Sequence, residues 1–293
     1  MKKRVLVTGS EGFTGRYVCD ELAKSGWEVW EAGIGPRNDQ IHYLIIDLLK
    51  PETLEQISER VEPDVVIHLA AASFVAASDP TIFYKVNLIG TRHLLESLAS
   101  ARVPPSCTIL ASSANVYGNF QSALSEDDAT FPVNDYAISK LAMEHLAKTY
   151  MDALGIVITR PFNYTGVGQS ERFLIPKIVA HYRATAKMIE LGNLDIAREF
   201  NDVRDIAYYY RRIAESQPNG ETINLCSGQP YSLVDVMGLA SDITGSELMV
   251  VVNPEYVREN EIMSLCGDRS KLIEILGEHQ PLALSDTLSW MLS

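Results

Sequence analysis

The chain has 293 residues, 46% of them hydrophobic, and a formal net charge of −13. That charge opposes non-specific binding to nucleic acid or to anionic membrane surfaces, and no apolar run approaches the ~20 residues of a membrane span. Four widely spaced cysteines, Cys19, Cys107, Cys226 and Cys266, lack metal-ligand spacing and read as reduced thiols of a cytoplasmic protein that takes no metal. The basic start Met1-Lys2-Lys3-Arg4 is followed by an apolar run that stops at Thr8-Gly9, too short for a signal sequence.

Val5-Leu6-Val7 predicts a buried strand. Gly9-Ser10-Glu11-Gly12-Phe13-Thr14-Gly15 follows, then a helical pattern through Tyr17, Val18, Leu22 and Ala23, closed by Gly26. Three glycines would also serve a plain turn, but between a strand and a helix they fit a dinucleotide loop. Gly9 permits the tight turn, Gly12 lets a pyrophosphate approach the backbone, and Gly15 allows close helix–strand packing. The N–H groups at the helix start would then face phosphate oxygens.

A second strand begins at Glu28-Val29-Trp30. Its end normally carries the acid that binds the adenosine ribose of NAD; here the chain reads Gly33-Ile34-Gly35-Pro36-Arg37, with Glu31 about two residues early. The missing acid and the nearby Arg37 favour NADP(H) over NAD(H), although Arg37 also fits a solvated loop. Ile41 to Ile46 reads as a third strand ended by Asp47-Leu48, where Asp47 could cap a helix starting near Pro51. Val65 to Ala71 is the fourth strand. It runs into the sequence Leu69-Ala70-Ala71, whose alanines would let the backbone lie against a cofactor ribose, with Ser73 within reach of a substrate. His68 reads as a core histidine. A long helical pattern runs from Ile82 through Leu98 with Asn87 inside it.

Thr108 to Ala111 is the fifth strand, delivering Ser112 and Ser113 at its carboxyl end, where open α/β sheets bind ligands. Tyr136 and Lys140 stand four apart on the next helix, on one face. If Ser113, Tyr136 and Lys140 converge, they can pass a proton to or from an oxygen on a carbon that exchanges hydride. Ser113 would orient that oxygen, and the Lys140 ammonium would lower the tyrosine pKa from its usual ~10. An exposed tyrosine with an i,i+4 lysine is the plainer alternative.

The G-x-x-G-x-x-G spacing and the Tyr-x-x-x-Lys after the fifth strand resemble the extended branch of the short-chain dehydrogenase/reductase superfamily. Arg160-Pro161-Phe162-Asn163-Tyr164-Thr165-Gly166-Val167-Gly168-Gln169 and Gly192-Asn193-Leu194 through Arg198-Glu199-Phe200-Asn201-Asp202-Val203-Arg204-Asp205 resemble segments of its nucleotide-sugar enzymes, most strongly the GDP-4-keto-6-deoxy-mannose reductases. The resemblance covers nearly the whole chain. Thr14 stands where that group commonly has Ile, and Tyr164 where it often has His.

The resemblance implies a Rossmann-type, doubly wound parallel sheet over residues 1–160, with returning segments at about 200–228, and a smaller α/β substrate-binding lobe over most of 161–293. It implies cofactor contacts from Phe13, Thr14, Asp47, Leu48 (at the adenine), Leu69, Ala70, Ala71 and Lys140, and an Asn87 that braces the site. It further implies substrate contacts from Ser73, Ser113, Asn163, Arg198 and Arg258, and a homodimer formed through the helices at about 82–101 and 137–154. The dehydratases of the group carry acids after the residue matching Ser113; Ala114-Asn115 cannot ionise, so elimination of water loses its acid–base pair. Expected chemistry is reduction of a C4 keto group. C4 epimerisation with tightly bound NAD and a non-catalytic nucleotide-binding role are the alternatives.

Overall fold

The computed structural model describes residues 2–37, 42–73, 79–120, 122–257 and 263–293. In its first half, β1 (Arg4–Thr8), α1 (Phe13–Lys24), β2 (Glu28–Gly33), β3 (Tyr43–Ile45) and β4 (Val65–His68) lead into a long helix, α2, over residues 81–99. Strand β5 (Cys107–Ala111), helix α3 (Asp135–Lys148) and strand β6 (Ile156–Pro161) complete the half. The third strand is shorter than its apolar run suggested, and Ile41 lies outside the described residues. The expected helix after Pro51 is a 3-10 turn (Pro51–Leu54) followed by a π turn (Ile57–Val61).

The second half holds β7 (Tyr164–Thr165), α4 (Leu174–Arg183), β8 (Met188–Leu191), β9 (Ala197–Glu199), β10 (Asn201–Asp202), α5 (Val203–Ser216) and β11 (Thr222–Leu225). After these come β12 (Pro230–Ser232), α6 (Leu233–Thr244), β13 (Met249–Val252), β14 (Ser264–Leu265), α7 (Ser270–Leu276) and α8 (Leu284–Leu292).

Seven strands form one sheet in the order β11-β6-β5-β4-β1-β2-β3, every pair parallel. Parallel strands need crossover helices, which cover both faces and make the strands apolar throughout. Val5 and Val7 pack on one face with Val18 and Leu22 of α1 and Ile206 and Tyr210 of α5. Leu6, between them, packs on the other with Leu94 and Leu95 of α2 and Met143 of α3. Each such fully buried side chain stabilises the fold by about 1.5–3 kcal/mol relative to exposure.

Strand order reverses between β1 and β4, so the crossovers leave in opposite directions and a crevice opens at their carboxyl ends. The glycine loop and the segment Leu69–Ala72 line that crevice from its two sides, with β5 and Ser113 next along. A separate core built on Ile178, Leu191, Val236 and Leu288 supports the C-terminal lobe. Between lobe and sheet, Tyr117, Phe162, Leu124, Cys226 and Leu265 pack together. His68 is a core residue as expected: Nδ1 lies 2.7 Å from Thr8 Oγ1 and Nε2 3.0 Å from Thr91 Oγ1, and burial pushes its pKa down to about 3.

Candidate active site

The glycine loop is shaped by steric necessity. Gly9 has φ +72°, and a Cβ there would sit 2.7 Å from the backbone nitrogen of Ala70. A Cβ on Gly15 would sit 2.3 Å from the Gly9 carbonyl oxygen. Gly12 is the N-cap of α1 with no side-chain cap bond, and the first turn carries no acid. The first N–H groups of α1 thus keep their partial positive charge for an anion, which fits a dinucleotide pyrophosphate, while the missing Cβ at Gly9 lets the loop lie against the backbone of Leu69 and Ala70. The loop therefore suits the cofactor that the sequence implied.

At the β2 edge Gly33 occupies the place of the absent acid. The Glu11 carboxylate reaches over it: a Cβ on Gly33 would be 2.6 Å from Glu11 Oε2, and the Tyr43 hydroxyl lies 2.9 Å from Glu11 Oε1. Arg37 forms an ion pair with Glu31, and its guanidinium lies 5.8 Å over the Tyr43 ring. Nothing in the sequence pattern singled out Glu11, because the G-x-x-G-x-x-G spacing leaves its position unspecified. Asp47 does not cap a helix, since Lys50 is the N-cap of the Pro51 turn. Asp47 Oδ1 instead accepts from Leu49 N at 3.0 Å, closing the turn after β3. Leu48 is buried against Gly90.

Asn87 sits in a π-helical stretch of α2 (Tyr84–Gly90), a local widening frequent at functional sites. Its amide brackets Ala72, accepting from the backbone N at 2.8 Å and donating to the carbonyl at 3.1 Å. It also donates to Ser139 Oγ at 3.0 Å. One side chain thereby joins the β4 loop, α2 and α3.

Helix α3 starts cleanly. Asn134 caps it by accepting from Ala137 N at 2.9 Å, with Asp135 in the first turn and His145 and Lys148 in the last, matching the helix dipole. Tyr136 is thus held in the first turn and Lys140 one turn on. Ser113, at the end of β5, caps a 3-10 turn (Ala114–Tyr117): its Oγ accepts from Asn115 N at 3.2 Å. The same hydroxyl lies within hydrogen-bonding reach of the Tyr136 phenol. Lys140 is 3% exposed and donates from Nζ to the Ala111 carbonyl at 2.6 Å. Ser113 and Tyr136 therefore meet, while the Lys140 ammonium is turned to the end of β5.

Its electrostatics differ from expectation in one respect. Burial pushes the Tyr136 phenol up to about 12, and the Ser113 bond, not Lys140, is what works against that rise. Burial also pulls Lys140 down to about 8, with Glu144 opposing. A phenol with so high a pKa is protonated at neutral pH, which suits a proton donor.

The substrate-side residues are only partly gathered. Ser73 is exposed at the end of the β4 loop and Asn163 is exposed just after β6, while Arg198 is buried on β9 between β12 and β14. Arg258 lies outside the described residues. The acidic run is structural: Arg204 pairs with Asp202 at 2.6 Å, and Asp205 accepts from His279 Nε2 and Leu282 N, each at 2.8 Å.

Thr14 and Tyr164, the two departures from the resembled group, meet each other. Thr14 Oγ1 lies 2.7 Å from Tyr164 Oη, and the Tyr164 ring stacks on Phe13 with centroids 6.1 Å apart. Tyr17 Oη adds a bond to Val167 O at 2.7 Å. The start of α1 is therefore tied to the loop after β6. A double-mutant cycle of Thr14→Val and Tyr164→Phe, read by urea unfolding, is expected to give a coupling of about 0.5–1.5 kcal/mol; additivity would mean the contact contributes nothing.

A dinucleotide crevice with a hydrogen-bonded Ser–Tyr pair and a buried lysine beside it defines a class. The chain is an enzyme of the extended short-chain dehydrogenase/reductase type. Residues 6–291 match the family described as GDP-mannose 4,6 dehydratase, and the chain belongs to that family. It is 36% identical over 276 residues to the GDP-6-deoxy-D-talose 4-dehydrogenase of Aggregatibacter actinomycetemcomitans, covering 94% of this chain and 91% of the relative. It is 32% identical over 305 residues to the GDP-6-deoxy-D-mannose reductase of Pseudomonas aeruginosa, covering 100% and 97%. Among solved structures, RMD from Pseudomonas aeruginosa complexed with NADPH superposes with a TM-score of 0.87 at 29% identity, covering 100% of this chain and 97% of that one. A Burkholderia cenocepacia J2315 protein, provisionally called an epimerase, superposes with a TM-score of 0.92 at 46% identity, covering 99% and 97%.

Proposed function

We propose that this enzyme reduces the C4 keto group of a 4-keto-6-deoxy nucleotide sugar, GDP-linked, using NADPH. The observation that carries the reading is the Ser113–Tyr136 pair with Ala114 and Asn115 directly after it: a proton donor for one carbonyl, and no acid–base pair for dehydration. When bound, the nicotinamide supplies the hydride. Ser113 holds the carbonyl oxygen and supports the phenolate left behind once Tyr136 gives its proton to that oxygen, and Lys140 would hold the cofactor ribose. General-acid help of this kind accelerates a reaction by about 10²–10⁴-fold.

The relatives named for GDP-6-deoxy sugars support the GDP-linked substrate, with Ser73, Asn163, Arg198 and Arg258 as its contacts. The same reading divides the chain into a cofactor domain, residues 1–160 with segments near 200–228, and a substrate lobe over most of 161–293. Incubation with NADPH and GDP-4-keto-6-deoxy-mannose should oxidise one NADPH per sugar reduced. Interconversion of saturated nucleotide sugars without net oxidation would favour the epimerase reading, which the Burkholderia relative keeps in view.

NADP(H) is proposed over NAD(H) because β2 ends on Gly33 and not on an acid and Arg37 stands at that edge, with the NADPH complex of RMD in support, although the Glu11 carboxylate over Gly33 works against a 2′-phosphate. For Arg37→Ala, NADPH binding is expected to weaken about tenfold, since charge-assisted phosphate bonds are the strong ones, while NADH binding holds. Equal loss for both would remove Arg37 from this role. Exposed Ile89 on α2 and Ile138 on α3, 43% and 41% accessible, support a homodimer through these helices; a sedimenting monomer at micromolar concentration would exclude it. No helix among the described residues is long and apolar enough to cross a membrane. A cytoplasmic location is proposed on the four free thiols, three of them buried, and is open to cell fractionation.

A further inference from the structure

Behind Ser113, Tyr136 and Lys140 lies a set of charged side chains that the reaction above does not use. Glu144 and Arg160 are 1% and 6% exposed. Arg160, on β6, forks onto Glu144 with Nε 3.0 Å from Oε1 and Nη2 2.7 Å from Oε2. Ser112 Oγ donates to the same Oε1 at 2.5 Å. The Arg160 guanidinium also lies 4.8 Å over the Tyr117 ring, and Tyr117 Oη donates to Asn224 Oδ1 on β11 at 2.7 Å. A buried carboxylate is tolerable only when paired and hydrogen-bonded, and Glu144 is both.

The cluster joins the elements that carry the trio. Ser112 adjoins Ser113 at the end of β5, and Glu144 lies on α3 one turn after Lys140 and two after Tyr136. The Ser112–Glu144 bond is therefore a side-chain link between the backbone that carries Ser113 and the helix that carries Tyr136, while Arg160 anchors that link to β6. We propose that Glu144 is a positioning residue of this active site, clamping the Ser113 strand end to α3 with Ser112 as its contact and Arg160 as its anchor. The inference rests on the trio acting as proposed above.

A second consequence concerns charge. Lys140 is faced by Glu144 on its own helix, by the Ala111 carbonyl of β5, and by His68 of β4, which burial keeps neutral near neutral pH. Arg160 of β6 reaches this region through Glu144. Burial already lowers Lys140 and the Glu144 carboxylate opposes the fall. With that charge removed, two buried cations share the region without their anion, and the ammonium loses its proton at lower pH.

The test compares Ser112→Ala, Ser112→Thr and Glu144→Gln in the full-length chain. NADPH binding is followed by nicotinamide fluorescence, and kcat and KM for the 4-keto sugar are followed over about pH 6 to 9, spanning the Lys140 transition. Ser112→Ala is expected to lower kcat about tenfold with little change in KM, as a misplaced catalytic group does, and Ser112→Thr to restore it. Glu144→Gln is expected to move the alkaline fall in activity, and in NADPH binding, to lower pH. Wild-type kcat and wild-type pH profiles in both Ser112→Ala and Glu144→Gln, whatever their melting temperatures, would overturn the proposal; if Glu144→Gln does not fold, Ser112→Ala decides. A wild type that binds NADPH but reduces no keto sugar contradicts the substrate reading instead, and the binding profiles still decide on Glu144.

Discussion

Tyr136→Phe is expected to lower kcat for keto-sugar reduction by about 10²–10⁴-fold, the usual worth of a positioned general acid. The change removes one oxygen and leaves the ring, which packs edge-on against Phe83 with centroids 5.8 Å apart. The loss of the Ser113 bond should cost only about 0.5–1.5 kcal/mol of stability, so the variant should fold and still bind NADPH. Because burial holds the phenol near 12, the wild-type donor is protonated throughout the physiological range. Its own ionisation should therefore not limit the reductive direction below about pH 9. Stopped-flow or steady-state nicotinamide oxidation checks the expectation, and a Tyr136→Phe enzyme with unchanged kcat would remove Tyr136 from the chemistry.

The second large effect belongs to Gly15→Ala. Its new Cβ would lie 2.3 Å from the Gly9 carbonyl and 2.6 Å from Ser10 Cα, both backbone atoms that cannot rotate away. Either α1 withdraws from β1 or the loop opens, and both disturb the N–H groups that face the pyrophosphate. The overpacking should cost about 1–3 kcal/mol of stability and weaken dinucleotide binding by at least about 100-fold, an equivalent of ~2.7 kcal/mol. Isothermal titration with NADPH and with NADH reads it directly, and both should weaken together. Alanine here with unaltered affinity would mean that the loop does not hold the pyrophosphate.

The sheet was largely legible because parallel strands buried on both faces appear as short continuous apolar runs, as at Val5–Val7 and Val65–Ile67. The edge strand β11 was harder. Its partner in register is Ile158 to Pro161, some sixty residues earlier, and no local pattern reports so distant a pairing. Tyr136 and Lys140 were legible because a helix places i and i+4 on one face. The same rule places Glu144 beside Lys140, yet a glutamate on a helix ordinarily faces water, so only burial shows that it joins Ser112 and Arg160. Lys140 was expected to lower Tyr136; the fold instead turns its ammonium to the Ala111 carbonyl. Arg37 was identifiable as a nearby cation, but its partner Glu31 lies within β2 and the Glu11 carboxylate comes from another loop. Thr14 and Tyr164 each looked like an isolated departure, and only the fold shows that they form one contact.

The central claim is delivery of hydride to C4 with a proton from Tyr136. It is tested most directly with NADPH carrying deuterium at both C4 positions of the nicotinamide and GDP-4-keto-6-deoxy-mannose, followed by NMR of the sugar product. The account predicts one deuteron at C4 for each labelled cofactor oxidised, in a single stereochemical configuration, and loss of that transfer in Tyr136→Phe. Sugar turnover that leaves C4 unlabelled, or deuterium at another carbon, would contradict it.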